Sequence, residues 1–86
     1  MNQNRDSITD EIKDIIEKKL LVDISQLESD DNLKETLGID PEIDQPLLTS
    51  DIVKNYNISL EAEELLNQAN TLNQLVSIVI EETELG

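Results

Sequence analysis

The amino-acid sequence predicts an all-α domain, a small helical bundle, on three observations. Apolar residues recur at three- and four-residue steps in separate stretches, as in helices with one buried face. Aromatic residues make up 1% of the chain, with Tyr56 the only ring, so the core must be aliphatic. Such a core suits interdigitating helical stripes better than a sheet. The length of 86 residues holds one domain and one modest core.

Residues 1–6 are polar and predict a flexible lead-in, with residues 7–84 forming the single domain. Ser7 is a candidate N-cap, with Asp10 three residues on. Ile8, Ile12, Ile15, Ile16 and Leu20 follow at helical spacing, and acids lead while lysines trail. The first helix is therefore placed at 7–21. Residues 22–38 read as a long connection pinned by Val22, Ile24 and Leu27. Glu28 to Asn32 is a polar turn, and Leu33 to Leu37 is one helical turn stopped by Gly38.

Both prolines fall in residues 39–46, a segment readable as helical or extended. Either Pro41 starts a helix with Asp40 as its cap, or Pro46 does with Asp44 or Gln45 capping. The second main helix is placed at 46–56 on the four-residue steps Leu48, Ile52 and Tyr56. Tyr56 is expected in the core, its hydroxyl at the surface. Ser59 is expected to cap a short third helix with Leu60, Ala62, Leu65 and Leu66. Thr71 and Gln74 form a capping box for the last helix, which buries Leu72, Leu75, Val76, Val79 and Ile80 and runs to about 83.

Twenty acidic against six basic residues give a net charge of -14. That charge repels phosphate backbones and anionic lipid heads, and it favours a protein partner with a basic patch. No cysteine or histidine is present, which removes thiolate chemistry, the commonest general base and the commonest zinc ligand. No apolar run approaches a membrane span and the first residues lack an apolar signal core, so a cytoplasmic location is expected. Asp40, Glu42, Asp44 and Asp51 fall in a calcium-loop register. Gln45 stands where the loop glycine belongs and Asp51 where the bidentate glutamate does, so no metal is expected. The paired carboxylates elsewhere lie on polar faces, and the chain is not expected to be an enzyme.

A long acidic-amphipathic helix leads to a long loop ending in Leu37-Gly38-Ile39-Asp40, then to a second helix, a short third and a fourth. That order resembles the acyl carrier protein family, including the carrier domains of polyketide and peptide synthetases. The resemblance spans about residues 8–82. Leu37-Gly38-Ile39-Asp40 resembles the phrase that precedes the family's phosphopantetheine-bearing serine. Tyr56-Asn57-Ile58 resembles the end of its second helix, and Thr71 to Leu75 the start of its last. The resemblance implies a four-helix bundle with three main helices, a short third one and a long loop between the first two.

At the attachment site the chain departs from the family. Aligned from Leu37-Gly38, the serine position is Pro41; counted back from Tyr56, it is about Glu42. Neither side chain has a hydroxyl to form the phosphodiester, and no serine or threonine lies between residues 37 and 48. The expectation is a carrier-like protein without 4′-phosphopantetheine. It would act as a docking, adaptor or regulatory module for a synthase or an acyl- or aminoacyl-handling enzyme. Family partners meet an acidic face along the second helix, which here implies Glu42, Asp44, Asp51, Glu61 and Glu63. Two alternatives stay open. One is a working carrier in fatty-acid, polyketide or peptide biosynthesis with its arm on Ser50; the other is an unrelated helical protein-interaction domain.

Overall fold

The computed structural model describes residues 5–85, except the side chains of residues 84 and 85. Its helices are α1 (Arg5–Leu20), α2 (Leu33–Leu37), α3 (Asp44–Tyr56), α4 (Ala62–Gln68) and α5 (Leu72–Leu85). Among the described residues there is no strand, and Asn32 and Thr71 form one isolated bridge. The fold is all-α, and α2 is the single helical turn expected within the long connection.

α1 packs on α3 and α5, and α4 packs on the same two helices. Glu11 of α1 lies beside Tyr56, and Lys19 lies 3.9 Å from Asp51, so α1 and α3 run antiparallel. Arg5 donates hydrogen bonds to Asn73 and to the Ser77 hydroxyl, which sets the starts of α1 and α5 side by side. Ile8, Ile12 and Ile16 of α1 meet Leu48 and Ile52 of α3, Leu66 of α4, and Leu72, Leu75, Val76 and Val79 of α5 in one core. All ten are fully buried. Each such side chain stabilises the fold by about 1.5–3 kcal/mol through burial.

The connection between α1 and α3 is held at three apolar points, Leu27, Leu33 and Ile39, all buried. Backbone bonds hold it as well: the Leu33 N–H donates to the Asn70 carbonyl (2.8 Å), and the Asn73 N–H to the Ser29 carbonyl (2.8 Å). The Ser25 N–H bonds the Asp23 carboxylate at 2.9 Å, which holds that carboxyl below its ordinary range. Gly38 closes α2 at φ +69°, and its N–H reaches the Lys34 carbonyl at 2.9 Å.

Five helix boundaries differ from the sequence reading, the smallest difference being the end of α1 at Leu20, one residue early. α1 begins at Arg5, so Ser7 lies inside the helix and is not its cap. Arg5's bonds to α5 fix that first turn from outside, a contact that local patterning does not encode. Of the expected flexible lead-in, residues 1–4 lie outside the described residues, whereas Arg5 and Asp6 are helical. α3 begins at Asp44, two residues before Pro46. Pro46 fits as its third residue, because first-turn N–H groups have no partner inside a helix.

α4 begins at Ala62. Ser59 caps the preceding turn instead, accepting from the Glu61 N–H at 3.1 Å, and Leu60 in that turn is exposed. At the start of α5 the capping box is present: Thr71 Oγ1 accepts from the Gln74 N–H (3.1 Å), and Gln74 Oε1 from the Thr71 N–H (3.3 Å). α5 extends to Leu85.

Candidate docking surface

The segment that was readable two ways, residues 39–46, is a tight turn running into a helix. Asp40 organises it. Its Oδ1 accepts from the Glu42 N–H (2.8 Å), its carbonyl from the Asp44 N–H (2.7 Å), and its own N–H donates to Asp44 Oδ2 (2.9 Å). Pro41 follows Asp40 with a φ already suited to the turn. Ile43 stands at the helix N-cap and supplies no side-chain bond, so Asp40 and Asp44 close the turn between them. Neither Asp44 nor Gln45 acts as a cap.

Gln45 is buried, and its Nε2 donates to the carbonyls of Leu66 (2.9 Å) and Ala69 (3.1 Å) at the end of α4. These carbonyls lie at the end of α4, where helix acceptors run short of donors, although the Leu66 carbonyl also accepts from the Ala69 N–H at 3.2 Å. One side chain therefore ties the start of α3 to the end of α4. That anchoring turns Ile43 and Leu47, four residues apart, toward solvent, at 64% and 46% exposure.

The residues singled out in the sequence separate into groups. Pro41 and Glu42 sit exposed on the turn. Asp44 is half-buried with its carboxylate engaged in closing that turn. Asp51 faces Lys19 on α1. Glu61 and Glu63 flank the start of α4, and the end of α4, not its start, meets the start of α3. They lie toward the far end of α3, a helix about 20 Å long at 1.5 Å per residue. The structure thus brings Glu42 together with Ile43 and Leu47, and it does not bring all five acids into one cluster. Ser50 is exposed in the second turn of α3.

The sequence reading missed Ile43, Leu47 and Gln45. The four-residue step from Ile43 to Leu47 was a usable signal, but starting the helix at Pro46 left Ile43 outside it. Gln45 gave no signal, because its partners are backbone carbonyls twenty-one and twenty-four residues away.

A cavity of about 210 Å³ lies beneath Pro41, between the Asn32–Lys34 turn, Gln45 and the Asn67–Asn70 junction. A smaller one of about 170 Å³ is lined by Glu11, Asp14, Ile15, Asn55 and Tyr56. The Tyr56 hydroxyl is buried there beside Glu11, with no well-formed hydrogen bond among the described residues, whereas the sequence placed it at the surface. Packing α1 across the end of α3 covers it. Burial first, and then the neighbouring Glu11 carboxylate, pushes the phenol up to about 12. Among the described residues no group of three or more His, Cys, Asp or Glu is placed to hold a metal ion. Among the described residues no helix is long and apolar enough to cross a membrane. What this geometry offers is an exposed apolar pair, Ile43 and Leu47, at the start of α3 with the Glu42 side chain exposed beside it. Comparison with known proteins finds no family model, no curated protein and no solved structure that matches this chain.

Proposed function

We propose that this chain is an acyl-carrier-like docking module that carries no phosphopantetheine and catalyses no reaction of its own. It engages a biosynthetic enzyme or assembly in the cytoplasm as an adaptor or regulator. One observation carries the reading. The turn that leads into α3 and its first residues present Pro41, Glu42, Ile43 and Leu47 outward, so the place expected for a prosthetic arm holds exposed apolar and acidic side chains. The order of helices, the pinned connection before α3 and the net charge of -14 support it.

In this mechanism the acidic chain is drawn to a basic partner, and Ile43 and Leu47 then bury against it. Gln45 and the Asp40–Asp44 closure hold the turn rigid, so little ordering entropy is lost on binding. Ser50 is the wrong site for an arm on this reading, because it lies within α3 and not at its start.

The test is a titration against purified synthases and acyltransferases that take carrier proteins as partners. Binding is expected to weaken with salt and to fall about tenfold in a chain carrying Glu42→Lys with Ile43→Ser. Affinity that ignores both changes, or no binding across the panel, would refute the proposal.

A further inference from the structure

We propose that the groove between α4 and α5 is a second docking surface, and that its occupant is a basic amphipathic segment of a partner protein. The groove has a volume of about 610 Å³. Leu65, 51% exposed, and Ile78 supply its apolar surface. Asp30 and Glu81 are its charged lining residues, and among the described residues neither lysine nor arginine lines it. Arg5 reaches its edge through Asn73 and the Ser77 hydroxyl, one helical turn before Glu81.

A charge asymmetry along α5 singles out the cationic occupant. α1 and α3 each carry an acid in the first turn and lysine in the last: Asp6 with Lys18 and Lys19, and Asp44 with Lys54. That arrangement complements the helix dipole. α5 does the reverse. It has no acid in its first turn and no base in its last, and Glu81 and Glu82 lie near its negative end. Within the folded chain this is an unfavourable placement. Lysine or arginine side chains spaced along an incoming helix would meet Glu81 and the terminal carbonyls at one end of the groove and Asp30, beside Asn73, about 12 Å away at the other, while their apolar neighbours cover Leu65 and Ile78. An acidic segment or an anionic lipid surface is repelled by the same groups and by the net charge of -14.

This surface stands apart from the start of α3, and matched variants separate the two. The probe is a designed leucine–lysine amphipathic helix, titrated into the isotope-labelled full chain and followed by amide NMR shifts. Shifts are expected to concentrate on residues 65–69 and 73–82. Leu65→Ser with Glu81→Lys is expected to weaken binding about tenfold. Glu42→Lys with Ile43→Ser, matched in charge change and apolar loss, is expected to weaken it far less. Circular dichroism confirms that each variant is folded, and Glu81→Lys alone, at an exposed position, serves if the double variant is not. Equal weakening by the two pairs, shifts spread over the whole acidic surface, or no binding would each overturn the proposal.

Discussion

α3 and α5 solve the problem of starting and ending a helix in opposite ways. The start of α5 is closed locally, by Thr71 and Gln74 three residues apart. The start of α3 is closed by a turn and by a distant helix, through Asp40, Asp44 and the reach of Gln45 to α4. Their ends differ too. α3 finishes with Lys54 in its last turn, whereas α5 finishes with acids and no base. A local closure can fail alone. Failure at the start of α3 also loosens the turn that presents Ile43 and Leu47, so on the proposed reading stability and docking are coupled there.

Four measurements break or sharpen that contrast. The largest effect is expected from Gln45→Ala, which leaves the Leu66 and Ala69 carbonyls without their buried donor. A loss of about 2–3 kcal/mol is expected in urea unfolding, together with amide shifts in both α4 and the 40–44 turn. Shifts confined to α3 would break the claimed coupling. Thr71→Ala should cost less, about 1 kcal/mol, with effects limited to the first turn of α5. A cost equal to that of Gln45→Ala would erase the distinction between local and tertiary closure.

Within α3, the Thr49 hydroxyl is buried with no partner. Replacing it by the isosteric Thr49→Val is expected to raise stability by about 1 kcal/mol, seen as a higher urea midpoint. A lower midpoint would show that the hydroxyl is satisfied. Glu81→Lys is the smallest of the four, a gain of about 0.3–1 kcal/mol that shrinks with added salt. An unchanged midpoint at low salt would remove the strain assigned to the end of α5.

Alkaline titration probes the other end of α3. Folding raises the Tyr56 phenol from an ordinary 10.0 to about 12, so the folded chain holds that proton more tightly than the unfolded chain. Its contribution to stability is intact below about pH 10 and is lost as pH rises from there toward 12. Tyr56→Phe should flatten that decline in unfolding curves taken across this range. A decline of equal size in the variant would assign it to other groups.

The helices that the sequence makes legible are those held by local devices. α1 and α5 follow from apolar spacing, and the α5 boundary follows from its capping box. Gly38 marked the end of α2 because its left-handed backbone suits glycine. The start of α3 was misplaced by two residues because a proline suggests a first helical position, while the true closure depends on side chains and on α4. The candidate site was legible in the same partial way. Composition showed an acidic chain, but not that Asp44 is engaged in its own turn or that Asp51 faces Lys19. Nor could spacing tell that Gln45 is buried while Ile43 is exposed, since that inversion comes from packing between α3 and α4.

The most direct test of the docking reading is chemical. The purified chain is incubated with coenzyme A and a broad-specificity phosphopantetheinyl transferase, and its intact mass is then read. An unchanged mass is predicted, with a working carrier protein modified in the same reaction. A gain of one phosphopantetheine, mapped to Ser50 or to any other residue, would contradict the account.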